Sequence, residues 1–252
     1  MNAGLNFNTP ENNLWVAELA MVKQIKNFLG LVVPLILSAI ACQSTAEVIR
    51  TPNTEIEQVT PIPSEAAVQA NLFLEDAFDD PNSGFLRLRD EEGITDYDQG
   101  GYRIKVDKTN YFFWAESGQS FSDVQIDVDT TTLGGPESSE FGVICRYKDE
   151  DNFYFFSITS DGYYGVSKHI GEEYEFIGMD EFKSSPAINK GQAQNHLTAV
   201  CEGDKLRFSV NGTLLAEVED NTITLGDVGL IAGTEDTAGT DILFDNLIVL
   251  KP

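Results

Sequence analysis

From residue 72 onward, apolar and polar residues follow each other in short runs and never hold a helical period for long. The run Val124-Gln125-Ile126-Asp127-Val128-Asp129 alternates strictly, the pattern of a strand with one buried face and one wet one. Other runs rich in Phe, Tyr, Val and Ile are punctuated by Gly, Asn and Asp, and predict strands at 102–106, 111–114, 123–130, 141–147, 153–158, 163–167, 196–201, 206–210, 213–216, 228–231 and 242–250. Asp161-Gly162 and Asn211-Gly212 separate pairs of such runs, and these dipeptides tolerate the positive φ of tight hairpins. With a further turn at Gly203-Asp204, residues from His196 to about Val218 should form an antiparallel meander. The pattern predicts an all-β domain of two stacked antiparallel sheets. Residues 73–78 should lie beside 242–250, bringing the domain's ends together. Asn110-Tyr111-Phe112-Phe113-Trp114-Ala115 is aromatic at successive positions, so one face of that strand belongs to the core and the other is either covered or used.

The chain ahead of residue 72 has a different grain. Lys23 and Lys26 precede an apolar stretch at 29–41 that ends in Ser38-Ala39-Ile40-Ala41-Cys42, which is too short for a comfortable membrane span and has the anatomy of an export signal. The last five residues resemble the lipobox of bacterial lipoproteins, with Ala39 where Leu is commonest. That resemblance implies lipidation of Cys42, cleavage before it, and an extracytoplasmic domain anchored to the lipid bilayer of the cell membrane. Residues 1–20 carry Glu11 and Glu18 and no basic residue, so translation is expected to start at Met21; the other reading is a true cytoplasmic extension. The organisation expected is thus 1–20 outside the native chain, 21–42 signal peptide, 43–71 a Pro- and Thr-containing linker, and 72–252 one β-sandwich domain.

Sixteen Lys and Arg stand against 41 Asp and Glu, a formal charge of −25. Such a chain repels nucleic acid and anionic headgroups, and suits divalent cations and neutral or cationic partners. Of three cysteines, Cys145 and Cys201 remain once Cys42 is lipidated. They form a disulfide between distant strands or stay as buried thiols, and the sequence leaves both open. The only histidines are His169 and His196, and no HExxH, CxxC, GxSxG or phosphate loop occurs.

Ala77-Phe78-Asp79-Asp80-Pro81-Asn82-Ser83-Gly84-Phe85, the run from Phe141 to Tyr147 continuing into Asp151-Asn152-Phe153-Tyr154-Phe155, Val210-Asn211-Gly212 and Phe244-Asp245-Asn246-Leu247 together resemble, in their order, the concanavalin A-like lectin/glucanase superfamily. Its laminin-G-like and 3-keto-disaccharide-hydrolase-like domains come closest. The resemblance implies a two-sheet antiparallel jelly roll with a sheet that holds glycans or an active site in members that have them. It also implies a structural Ca²⁺ held by Asp79 or Asp80 with Asp245; alternatively those acids only shape turns. Glucanases of the superfamily carry Glu-x-Asp-x-(x)-Glu on one strand. Here Gln125 stands in the nucleophile's place, and an amide cannot form a glycosyl-enzyme intermediate. A glycan platform draws on Tyr111, Trp114, Tyr154, Tyr163 and Tyr164 for stacking, with Arg146 and Asn152 for hydroxyls, unless these aromatics are core. The expected function is a non-catalytic glycan-binding or adhesion module; the alternatives are a 3-keto-disaccharide-type glycoside hydrolase and a structural cell-envelope domain.

Overall fold

The structure is a computed structural model that describes residues 4–6 and 71–252. The translation start at Met21, the signal, Cys42 with its lipidation, and all but the end of the linker lie outside the described residues. Strands are numbered along the chain. One sheet of eight strands runs β1 (Gly4–Asn6), β6 (Tyr111–Phe121), β16 (Gly226–Thr234), β8 (Glu140–Asp149), β9 (Asn152–Thr159), β10 (Tyr163–Ile170) and β11 (Glu173–Phe176), with β12 (Lys183–Ser184) also on β10. A second sheet of nine runs β15 (Thr213–Glu219), β14 (Lys205–Val210), β13 (Gln194–Glu202), β7 (Val124–Gly134), β17 (Thr240–Leu250), β5 (Gly101–Val106), β4 (Gly93–Asp98) and β3 (Leu88–Arg89), with β2 (Leu72–Asp76) on β17. Every pairing is antiparallel in both sheets.

The predicted meander is present. β14 and β15 pair Val210 with Thr213 across Asn211 and Gly212, and both turn residues take positive φ, 51° and 77°, as a two-residue hairpin of primed type requires. The first and last strands also meet: Asp76 lies opposite Leu247 and Leu74 opposite Val249. β17 gives one edge to β5 over residues 240–244 and to β2 over 247–250. Asn246, at φ 52°, sits at the hand-over. Gly4–Asn6 pairs its backbone with Tyr111–Phe113 of β6. An edge strand offers a row of free N–H and C=O groups that an extended segment can complete.

The inner faces of the two sheets make the core, with Tyr102, Ile104, Phe113, Ile126, Phe141, Phe156, Phe208 and Phe244 all closed to solvent. A disulfide between Cys145 of β8 and Cys201 of β13 crosses this core and joins the sheets, with Cα atoms 6.9 Å apart. Beside it Arg146 is 1 % exposed. Its guanidinium donates to the carbonyls of Ser122 at 3.0 Å, Ile223 at 2.9 Å and Gly203 at 2.8 Å. Three carbonyls satisfied by one fork make a buried cation tolerable.

Candidate functional site

Side chains alternate across each strand, so the outer faces can be read from the register. In the nine-stranded sheet the outer face is polar. Arg103 grips Asp241 with two bonds of 2.7 and 2.6 Å and Asp98 with a third of 2.7 Å. His196 lies between Asp129 (2.7 Å from Nδ1) and Asp127 (3.5 Å from Nε2). Thr198 and Gln125 donate to Asp127 and Asn246 to Asp129. Hydrogen bonding to Asp127, and then to Asp129, pushes the His196 imidazole up to about 9. The two acids of the strand tested above for glucanase chemistry are thus engaged in a surface ion network.

The eight-stranded sheet is apolar on both faces. Tyr111 and Phe113, Val143 and Cys145, Tyr154 and Phe156, Leu230 and Ala232 point to the core. Between them Trp114, Ile144, Phe153, Phe155 and Ile231 form a second cluster on the outer face, with the half-buried Phe112, Tyr147 and Tyr174 packed against it. The rings form a connected band: Phe112 and Phe155 are 6.0 Å apart, Trp114 and Tyr147 6.3 Å, Tyr147 and Phe153 5.9 Å, Phe153 and His169 5.4 Å. Tyr174, Phe176 and Phe182 continue it past β10, with centroids 5.5 and 5.1 Å apart.

Polar groups are set into this band. The Trp114 indole donates to Glu116 at 3.2 Å. Burial lowers the His169 imidazole below its usual range. Glu140, at the start of β8, is 6 % exposed, and Ser157 on β9 is 0 % exposed. Glu140 Oε1 and Ser157 Oγ have no well-formed partner beyond each other. Burial pushes the Glu140 carboxyl up to about 8; the neighbouring Ser157 hydroxyl opposes the rise and the charge of Glu235 adds to it. The register sets Ser157 between Gly142 and Gly165, and Glu140 beside Gly233. Rings lie over two of these glycines: a Cβ at Gly233 would meet Phe112 at 2.2 Å, and one at Gly165 would meet Phe176 and Phe182 at 2.9 Å.

The seven residues expected to form a glycan platform do not gather. Trp114 is on the outer face, but only 1 % exposed. Tyr111, Tyr154 and Tyr164 belong to the core cluster, because their positions fall on the inward parity. Tyr154 donates to Asp220 at 2.5 Å and accepts from the Ile223 N–H, while Tyr164 donates to the Leu215 carbonyl. Arg146 is spent on its three carbonyls. Asn152 donates to Asp149 in the β8–β9 turn at 2.6 Å. Tyr163 is 37 % exposed, opposite Ser184 of β12. The outer-face residues Phe112, Tyr147, Phe153, Phe155, Tyr174 and Glu140 were missed, although the unbroken run Phe153-Tyr154-Phe155-Phe156 is the signal of a strand covered on both faces.

The calcium set does not converge either. Asp80 accepts from the Asn82 N–H at 2.9 Å in a side-chain-closed turn, and Asp245 accepts from the Asn246 N–H at 2.7 Å. Among the described residues no three His, Cys, Asp or Glu side chains come together as a cation site. Asp76, not anticipated, ties the segment by accepting from Phe78 N–H at 2.7 Å and Ser83 Oγ at 2.5 Å. A hard cation of this kind needs six or more converging oxygens, and these residues do not fit it.

Two packed antiparallel sheets with this strand order make the domain an antiparallel jelly-roll sandwich. Among solved structures it is similar to the carbohydrate-binding module CBM66 from Bacillus subtilis, at 19% identity and TM-score 0.55 over 67% of this chain and 96% of that one. It is also similar to a Bacillus subtilis protein of unknown function with a galectin-like fold, at 10% identity and TM-score 0.56 over 72% and 96% of the two chains. A Bacteroides ovatus mixed linkage glucan GH16 in complex with a G4G4G3G product matches at 8% identity and TM-score 0.52, over 70% and 99%. No protein-family profile matches the chain, and no curated protein matches it. At these identities the likeness is one of fold.

Proposed function

We propose that this chain is a lipid-anchored extracytoplasmic protein whose jelly roll binds glycan, without catalysis, on the outer face of the eight-stranded sheet. The observation that carries the reading is the aromatic band on that face, with Glu140, Ser157 and Glu116 set among its rings. Aromatic faces stack on the C–H faces of sugar rings while nearby polar groups fix the hydroxyls. The similarity in fold to a carbohydrate-binding module and to a glycan-active enzyme supports the same reading. The lipobox-like run at Cys42 supports the anchor, and the 43–71 segment would hold the domain off the bilayer.

The test is a glycan array probed with the purified full chain, with and without calcium, alongside Tyr147→Ala and Tyr174→Ala. Both tyrosines are half-buried and belong to the outer cluster. Binding that each variant weakens about 5- to 10-fold, with thermal stability nearly kept, supports the site. Release of reducing ends from any bound glycan would overturn the non-catalytic part. For the anchor, Cys42→Ser should abolish incorporation of labelled fatty acid and move the protein from the membrane to the soluble fraction.

A further inference from the structure

A buried carboxyl group with a single weak partner couples a proton to whatever covers it. Glu140 is 6 % exposed and Ser157 0 % exposed, and neither has a well-formed partner beyond the other. Both occupy outward positions, since Phe141 and Val143 on β8 and Phe156 and Ile158 on β9 point inward. Rings close the face over them from two sides of unequal strength. On one side Phe112 lies over Gly233, and its strand β6 is paired with β16 from Tyr111 to Phe121. On the other side Phe176 and Phe182 lie over Gly165, with centroids 5.1 Å apart. Phe176 ends β11, which pairs with β10 over Ser167–Ile170, and Phe182 precedes β12, which pairs with β10 at Tyr163 and Tyr164. Between these strands the Ile177 N–H reaches the Val166 carbonyl at 2.8 Å. A short segment on a sheet edge opens at lower free energy than a central strand.

The titratable groups that act on Glu140 are Glu235, just past β16, and Tyr174 on β11. Groups on the other neighbouring elements are engaged elsewhere. Asp161 accepts from Thr159 at 2.5 Å, Lys168 and Glu175 pair at 3.4 Å, and the His169 ring lies against Phe153. Glu116 on β6 accepts from the Trp114 indole, and Lys183 on β12 stands opposite the inward-pointing Tyr164. We infer that Glu140 is the latch of a pH-sensitive cover: while it is neutral, residues 173–184 stay closed on the outer face, and its ionisation opens that edge segment while the β6 side stays in place. The latch is independent of whether that face binds glycan. An ionised Glu140 under the rings has one hydroxyl for solvation and the charge of Glu235 against it, so it is driven towards water. The part of the cover that yields first is the one held by fewest backbone bonds. Burial holds the closed-state carboxyl up at about 8, against about 4.3 once it is open to water. The closed form therefore binds the proton more tightly and is most stable at low pH. Its advantage falls as pH rises from about 4.3 to about 8, by at most about tenfold per unit, and levels off above that.

The experiment is amide hydrogen exchange of the full chain across this pH range, corrected for the intrinsic pH dependence of exchange, with a ¹³C NMR titration of the Glu140 carboxyl. The Glu140 carbon should titrate near 8. Amides of 173–184 should lose protection about 100-fold or more between about pH 5 and about pH 8, and β6 should remain at least about tenfold better protected there. Glu140→Gln carries no charge, so protection over 173–184 should become flat in pH. Phe182→Ala removes a half-buried ring from the cover and should bring the Glu140 titration down by about one pH unit or more. A Glu140 that titrates in the ordinary carboxylate range, a pH slope that persists in Glu140→Gln, or loss of protection in β6 before 173–184 would overturn the latch and leave glycan binding standing.

Discussion

The outer faces of the two sheets solve the same problem in opposite ways. On the nine-stranded sheet the alternation is clean, and charges project outward and neutralise each other: Arg103 with Asp241 and Asp98, His196 with Asp127 and Asp129. On the eight-stranded sheet the outward positions are Phe112, Trp114, Ile144, Phe153, Phe155 and Ile231. With Trp114 1 % and Phe155 3 % exposed, these side chains are packed as a second core rather than presented to water. The pair of faces teaches that where the alternation of apolar and polar residues breaks down, a strand is covered on both sides.

Substitutions weigh the comparison directly. The largest expected effect is Phe155→Ala, since its ring is 3 % exposed; although outside the sandwich core, it should cost about 3–5 kcal/mol in chemical denaturation. A loss under about 1 kcal/mol would mean that the outer cluster is not packed as a second core. Next, Cys145→Ser with Cys201→Ser should cost about 4 kcal/mol, as expected for a cross-link with a sequence separation of 56. It should act on both faces, because it joins the sheets. Arg103→Ala, on the polar face, should cost about 1–2 kcal/mol for loss of a two-pronged pair, and leave glycan binding untouched.

The smallest effect is the most specific to the polar face. The folded-state pKa of His196 is raised to about 9, so its stabilisation is full below the unfolded imidazole's pKa of about 6.5 and is lost as pH rises through about 9. With its side chain 43% exposed, that contribution is screened and should stay under about 1 kcal/mol. His196→Gln should flatten the melting-temperature profile across that window; an unchanged profile would assign it to other groups.

Much of the sandwich was legible from the pattern alone. The alternation at 124–129 and the Asn211-Gly212 turn are both local signals, as are the strands that flank them, and so is the joining of the two ends once the outer strands are placed. β3, β4, β11 and β12 were not anticipated: they are short or weakly apolar, although β4 turns directly into β5 and β10 into β11. The site was less legible, for a reason of parity. Tyr154 and Phe153 are equally aromatic, and only the register decides which enters the core. Arg146 reads as a polar partner for a sugar, whereas its backbone at φ 54° and its three carbonyl acceptors are properties of the folded chain. Glu140 carried a signal that went unused, a carboxylate heading the run Phe141-Gly142-Val143-Ile144.

The Cys145–Cys201 bond also has a mechanical consequence. In a chain pulled between residue 71 and its C-terminus, tension travels along the covalent chain as strands peel away. At Cys145 the pull crosses through sulfur to Cys201, and β9, β10, β11 and β12, which lie between them in sequence, carry none of it. Phe153, Phe155, Ser157 and Tyr174 ride on that bypassed loop, so this half of the aromatic face cannot be drawn out as extended chain while the bond is intact.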